Sequence, residues 1–352
     1  MVNRDPLVSA SDRITRGSRV LRALALPCAL VLALVTALTF VSCGGSSARV
    51  AAPLPPSGAQ GAWLVAALGS SPDVSIALRS TAARTDPYWG PLVGRVLAQR
   101  DRPGEIISHG SGAMVLNARQ VDLHIVFRDP IALERKDRKM DVRAIGWLGV
   151  ISGAVPFDPL AVRDSDGRPL FVPPFRMPSG VLVFFANPSY VNSYGAIAPT
   201  AFLLPNGTYV VTDQVSAPHV QGLLTQNASP PLAMELPPDS LGGITFGVTS
   251  LRFVDAKATD KTAITQGMTA AGFGLRGGAG GAVDGYASYA SNDDAQRGYE
   301  ALERACAHKP DSCMMSPGTF RDAKASRDGN RIVVSLAFTE RFLNAIQSQD
   351  FK

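Results

Sequence analysis

The sequence predicts an α+β protein, with a mixed or antiparallel sheet that carries helices on one face. Residues 239–352 alternate paired strand-like segments with helix-like segments, as an open sheet covered by helices does. Turns at 164–167 and 205–207 contain Asp-Gly and Asn-Gly, which supply the positive φ angles of tight hairpins. With 46% apolar and 18% charged residues, the 352-residue chain has the composition of a folded protein, not a disordered one.

The first part of the predicted fold, residues 61–155, mixes helices and strands. Strand-like alternation marks residues 74–78 and 121–127, and the second segment has the period of a half-buried strand. Asp86-Pro87 begins a helix whose apolar residues recur at helical spacing to residue 97, with Pro in its first turn. The mixed charges of residues 131–143 predict a solvated helix.

The central part, residues 156–238, is predicted to be rich in β-structure and contains 14 of the 26 prolines. Two hairpin-like units span residues 160–172 and 201–211. Residues 180–186 are apolar without alternation, which is typical of a strand that is buried on both faces.

The last part, residues 239–352, returns to an α+β pattern. Strands are predicted at 244–254 and 282–290, and helices at 260–271 and 339–347. Ser291 and Asp294 form a capping box that begins another helix, and Asp328-Gly329-Asn330 predicts a hairpin turn. The chain contains no repeat of fixed period, which argues against a solenoid or a propeller.

The N-terminus has the three parts of an export signal. Five Arg and two Asp lie within residues 1–22, residues 23–41 carry no charge, and small residues follow Cys43. Residues 44–60 are rich in Gly, Ser, Ala and Pro and have no hydrophobic period. The predicted organisation is therefore a signal peptide at 1–42, a flexible tether at 43–60 and an exported region at 61–352, with 61–155, 156–238 and 239–352 as its subregions.

The tetrapeptide Phe40-Val41-Ser42-Cys43 resembles the lipobox of bacterial lipoproteins. The resemblance implies that Cys43 is lipidated and becomes the first mature residue, so that the protein is anchored by lipid on the extracytoplasmic face of the cell membrane. Two or three acyl chains anchor a protein stably. The alternative is an uncleaved transmembrane helix, because 19 residues nearly span a hydrocarbon core of ~30 Å. Pro27 within the apolar run favours the signal peptide.

The charge of the mature chain argues against nucleic acid as a partner. Removal of residues 1–42 leaves 29 basic and 27 acidic residues, whereas the whole chain has a formal charge of +5. Nucleic-acid binding requires a basic stripe. The basic balance of the whole chain therefore comes largely from the signal.

Two cysteines, Cys306 and Cys313, lie in the exported region beyond the tether. Outside the cytoplasm such a pair usually oxidises, so the sequence predicts a disulfide between them. A metal site would need more soft ligands than His308 provides, and a redox pair would have shorter spacing. No metal or cofactor is predicted.

No catalytic signature stands out in the chain. Residues 272–277 match GxGxxG, but a predicted helix precedes them, so a mobile loop is expected and not a dinucleotide site. Ser111 follows His109 in a Gly-rich stretch, but no GxSxG elbow is present. An envelope hydrolase, with His124 or His219 as its base, stays open as an alternative function.

The low-charge segment, residues 177–250, is the most unusual stretch. It contains no Lys or Arg, and its acids are Asp213, Glu235 and Asp239. A buried sheet would explain this composition, and so would an apolar surface that meets a lipid or a protein. We predict a non-enzymatic lipoprotein that binds such a partner; a purely structural or surface-masking protein is a further alternative. The candidate ligand-binding residues are Phe184, Phe185, Tyr190, Tyr194, Phe202 and Tyr209.

Overall fold

The computed structural model describes residues 51–91, 93, 118–128, 145–153, 158–163, 167–189, 191, 198–226, 233–247, 262–278, 280–308, 320–341 and 343–344. Its strands are β1 Val74–Leu78, β2 Gln120–Phe127, β3 Ile145–Ser152, β4 Phe175–Arg176, β5 Leu182–Phe185, β6 Pro199–Leu203, β7 Tyr209–Asp213, β8 Ser240–Phe246, β9 Met268–Arg276, β10 Ala282–Tyr289, β11 Phe320–Asp328 and β12 Arg331–Phe338. Its helices are α1 Gly58–Leu68, α2 Ser80–Thr85, α3 Ala217–Thr225, α4 Thr262–Thr265 and α5 Asn292–His308, with a 3-10 turn at Pro159–Ala161.

These twelve strands form one sheet in the order β11-β12-β10-β9-β8-β1-β2-β3-β7-β6-β5-β4. Every neighbouring pair is antiparallel. The prediction of an α+β fold with an antiparallel sheet is therefore confirmed, and the sheet dominates the described residues.

Strand β1 joins the two halves of the sheet. It pairs with β2, the next strand in the described chain, and with β8, which follows about 160 residues later. Ser75 lies between His124 on one side and Thr245 on the other. The two halves of the sheet are thus joined by a pairing between strands that lie far apart in the sequence.

Several local predictions are confirmed. The alternating segments at 74–78 and 121–127 are β1 and β2, and the second has the alternating burial of a half-covered strand. The Asn-Gly turn joins β6 to β7 with Gly207 at φ 81°, and the backbone amide of Asp294 donates to Ser291 Oγ at the start of α5. Turn and cap residues fixed these boundaries because their physical requirements are local.

The helices do not share one face of the sheet, which corrects the sequence prediction. Helices α1 and α3 pack against Val126, Leu148 and Phe202. Helix α5 packs against side chains of β10 and β12 that point to the opposite face, such as Ala287 and Val334. We call these two sides the α1 face and the α5 face. Each half of the sheet buries a different face under its helices, which local sequence rhythm does not reveal.

Residues 51–60 belong to the folded domain and are not part of a flexible tether. Ala51 and Ala52 are buried against the sheet, and α1 begins at Gly58. Their composition suggested a linker because Gly, Ala and Pro are common in linkers. The same small residues also allow a chain segment to pack closely against a sheet.

The GxGxxG stretch is also corrected: it lies in β9 and its end, not in a mobile loop. Strand β9 pairs with β8 on one side and β10 on the other, and it occupies residues that the sequence assigned to a helix. A Cβ at Gly272 would lie 2.5 Å from the ring of Tyr286. This glycine therefore makes room for a neighbouring side chain instead of binding a phosphate.

Candidate functional site

The low-charge segment lies largely within the sheet. It contains β5 to β8, and most of their residues are buried. Strands covered on both faces need few charges, since an unpaired charge is costly in the interior. Burial therefore accounts for most of the composition that drew attention to the segment.

Three of the candidate aromatic residues are part of the core. Phe202 is fully buried between the sheet and helices α1 and α3. Phe184 packs on the opposite face, edge-on to Phe171 with ring centroids 6.4 Å apart, and Tyr209 is buried near Ile151. These side chains stabilise the fold and offer no surface to a partner.

Phe185 is different because its ring reaches the surface. It is 40% exposed and stacks on Phe175, which is 42% exposed, with ring centroids 5.7 Å apart and planes 19° from parallel. Phe175 lies in β4 and pairs with Val183, which places it diagonally across from Phe185 on the same face. We call Phe175 and Phe185 the aromatic pair.

The aromatic pair lies at one end of the order of strands, where β4 is the last strand described. Pro173 and Pro174 precede β4 and have no N–H with which to pair another strand. The chain thus presents aromatic surface here while its backbone is poorly suited to strand addition.

Several other candidates lie outside the described residues. Tyr190 and Tyr194 are among them, as are Cys43 and Cys313, so lipidation and the disulfide stay predictions. Ser111 and His109 also lie outside. His219 is exposed on α3, and no hydrogen bond to a nucleophile is seen for it within the described part of the chain.

A buried polar cluster at the centre of the sheet was not anticipated from sequence. Ser75 Oγ lies 2.9 Å from His124 Nδ1, on adjacent positions of β1 and β2, and each side chain is 1% exposed. Burial lowers the pKa of His124 from 6.5 to about 4. The imidazole is therefore neutral at pH 7, and its Nε2 has no hydrogen-bond partner among the residues that the structure describes.

Asp122 lies two residues before His124 on the same face of the sheet. Its carboxylate accepts hydrogen bonds from Gln120 Nε2 at 2.9 Å and from the backbone amide of Met234 at 2.8 Å. Burial raises the pKa of Asp122 from 3.8 to about 6, although the side-chain bond from Gln120 and the backbone bond from Met234 both oppose the rise. The bond from Met234 holds that residue against the sheet.

The Ser75, His124 and Asp122 side chains do not form a catalytic triad. In a triad the imidazole uses one nitrogen for the serine and the other for an orienting acid, at a site that substrate can enter. Here His124 Nε2 has no partner within the described part of the chain, Asp122 bonds to Gln120 and Met234, and all three groups are buried. The cluster is suited to a structural role.

Asp213, a buried acid of the low-charge segment, also has structural partners. It accepts hydrogen bonds from the backbone amides of Val215 and Ser216 and pairs with Arg128 at 2.9 Å. These bonds hold the connection between β7 and α3. Its charge is compensated within the fold and so does not mark a ligand site.

Other features of the described residues add no stronger candidate site. An open depression of about 210 Å³ is lined by Pro87, Tyr88, Glu340, Leu343 and Asn344. No group of three or more His, Cys, Asp or Glu side chains suited to a metal was found among the described residues. No helix in the same part of the chain is long and apolar enough to cross a membrane.

Comparison of the chain with protein-family models, with curated proteins and with solved structures gave no match. The function is therefore inferred from the sequence and from the geometry of the described residues. Of that geometry, the aromatic pair is the feature that core packing explains least.

Proposed function

We propose that the protein is a cell-envelope lipoprotein, anchored through Cys43, that acts by binding an apolar partner through the aromatic pair. The N-terminal signal and the lipobox-like residues 40–43 support the anchor. The exposed stack of Phe175 on Phe185 is the observation that supports binding. The partner is a lipid or an envelope protein, and no catalytic step is assigned.

Both rings of the aromatic pair keep apolar area that a partner can cover. A buried aromatic side chain removes about 150–250 Å² from water, and each of these rings keeps about two-fifths exposed. At ~25 cal/mol per Å², covering the remainder would contribute ~2 kcal/mol per ring. The two rings together are therefore sufficient for a hot spot of binding.

The anchor is tested by labelling cells with a radioactive or clickable fatty acid. We expect label on the wild-type protein and on Cys28→Ser, which changes a cysteine within the signal. Cys43→Ser should lose the label and keep the signal sequence attached. Label that persists in Cys43→Ser would rule out this site of lipidation.

Binding is tested by native mass spectrometry of the full-length protein extracted in mild detergent. We expect a bound lipid or a stoichiometric protein partner with the wild type. Phe175→Ser with Phe185→Ser should lose it, while the control Val65→Ser, on the exposed side of α1, should retain it. Equal retention by both variants, or no bound molecule with the wild type, would contradict the proposal.

A further inference from the structure

We infer that residues 51–56 are a docked strap that fixes where the anchored chain joins the folded domain, and so holds the domain close to the bilayer. The part of this inference that concerns the bilayer rests on the proposed anchor at Cys43. The part that concerns docking rests on contacts within the described chain. The segment has no helix or strand of its own.

The first contact of the strap is a hydrogen bond to a buried carboxylate. The backbone amide of Ala51 donates to Asp284 Oδ2 at 2.9 Å, across 233 residues of sequence. Asp284 is held in turn by Arg276, whose Nε donates to the same oxygen at 2.9 Å and whose other guanidinium nitrogen bonds to Oδ1. A hydrogen bond to an ionised acceptor is among the stronger kinds, so this contact fixes the strap firmly.

The second contact is a groove that has glycine at its floor. A Cβ at Gly274 would lie 2.2 Å from the carbonyl oxygen of Ala51 and 2.6 Å from Ala52 Cα. A Cβ at Gly243 would lie 2.5 Å from Pro53 Cδ and 2.0 Å from the carbonyl oxygen of Phe273 in the neighbouring strand. Side chains are excluded at these distances, so the sheet is shaped to accept the backbone of the strap. Ala51 and Ala52 are buried in this groove, whereas Leu54 points outward and is 49% exposed.

The composition of the strap suits an ordered segment. Pro53, Pro55 and Pro56 restrict the backbone before docking, which lowers the entropy lost when the segment becomes ordered. The strap then leads directly into α1 at Gly58, where the amide of Gly61 bonds to the carbonyl of Ser57 at 3.1 Å. Strap and helix together form a continuous path across the sheet.

Docking shortens the length of chain that can act as a tether. From Cys43 to Ala51 an extended chain reaches at most ~28 Å, whereas from Cys43 to Gly58 it would reach ~52 Å. The domain is therefore held in the layer next to the membrane. Its partner must be a molecule that is present in that layer.

The test of docking is hydrogen exchange on full-length protein, read at the backbone amide of Ala51, which donates to Asp284. Ala52→Glu places a charged side chain in the groove and should speed exchange at least tenfold. The matched control Leu54→Glu adds the same charge at an exposed position of the same segment and should leave exchange unchanged. Unchanged exchange in Ala52→Glu, with a folded domain, would overturn the inference.

A second pair of variants acts from the sheet side. Gly274→Ala should release the strap, whereas Gly149→Ala lies in β3, where an added Cβ would have only ordinary contacts at 3.7 Å. Far-ultraviolet circular dichroism establishes that each variant remains folded. If the strap is protected from hydrogen exchange only in dimers, it docks on a second copy of the chain. That result would also overturn the inference that the strap docks on its own domain.

The distance to the bilayer is measured by neutron reflectometry on lipidated protein in a supported bilayer. We expect a gap of no more than ~28 Å for the wild type and Leu54→Glu, and a wider gap for Ala52→Glu. A wild-type gap well above this value would contradict the short tether. If mass analysis finds no lipid on Cys43, the proposed anchor fails, while the exchange experiment still decides whether the strap is docked.

Discussion

The two terminal strands of the sheet are protected from unwanted pairing in different ways. Strand β11 is nine residues long and carries exposed charges at Asp322, Lys324 and Arg327. Strand β4 has two residues, follows two prolines and exposes Phe175. Charges protect the long edge, whereas the short edge relies on proline and on its small length.

The aromatic pair does not protect the edge of the sheet. An edge strand needs protection of its backbone hydrogen-bonding groups, and at β4 the prolines already provide it. Two exposed phenylalanine rings contribute nothing to that protection. Protection of the edge therefore does not explain the two rings, and the proposed function gives them a role in binding.

The largest expected effect distinguishes the aromatic pair from the core beside it. Phe202→Ala removes a fully buried ring and should lower the free energy of unfolding by about 3–5 kcal/mol. Phe185→Ala removes a ring that is partly in water and should cost about 1 kcal/mol or less. Chemical denaturation followed by circular dichroism measures both. A loss above 3 kcal/mol for Phe185→Ala would make the pair a core element and weaken its assignment to binding.

The next effect concerns Asp122, whose carboxyl is buried, unlike the exposed charges of β11. The folded state holds a proton on Asp122 below a pKa of about 6, whereas the unfolded state does so only below 3.8. The contribution of Asp122 to stability therefore rises as the pH falls from 7 to 4, by about 2 kcal/mol. Relative to the wild type, Asp122→Asn should therefore lose stability as the pH falls from 7 to 4. This change is expected whatever the difference in the free energy of unfolding between the two proteins at pH 7.

His124 acts in the opposite direction. Its pKa is lower in the folded state, about 4 against 6.5, so the unfolded state takes the proton first and stability is lost between pH 6.5 and 4. Relative to the wild type, His124→Gln should therefore gain stability on acidification, by about 3 kcal/mol. Thermal denaturation of both variants from pH 7 to 4 checks the signs. Slopes of the same sign would contradict the burial of one of the two groups.

The smallest effect on stability concerns the edge at β11. Asp322 and Lys324 are more than half exposed and lie 3.3 Å apart, so replacing both by Val should change the free energy of unfolding by less than about 1 kcal/mol. The neutral edge should nevertheless self-associate, which sedimentation velocity detects. The control replaces Glu300 and Arg304 on α5 by Ala, which removes an exposed ion pair without altering an edge, and should stay monomeric. A monomeric β11 variant would show that charge does not protect this edge.

Local patterns predicted much of the fold correctly. Alternation identified β2, the Asn-Gly turn identified the β6–β7 hairpin, and the capping box placed the start of α5. Each of these depends on a few neighbouring residues. The composition of the low-charge segment also allowed a buried sheet as one of its two explanations.

Long-range packing could not be predicted in the same way. The pairing of β1 with β8, the docking of Ala51 on Asp284 and the contact of Ser75 with His124 join residues far apart in the sequence. Composition points to Phe185 of the aromatic pair but not to Phe175, because Phe175 precedes the low-charge segment. Whether a ring in a strand is exposed depends on its neighbours in the sheet.

The contact between Ala51 and Asp284 also has a consequence for the order of events during biosynthesis. A ribosome makes the N-terminus first, so Ala51 exists long before its acceptor does. The same holds for β1, which must wait for β8 before both of its edges are paired. Completion of the fold is thus deferred until most of the chain has been made, and an export system that needs its cargo unfolded would find the early segments still unpaired.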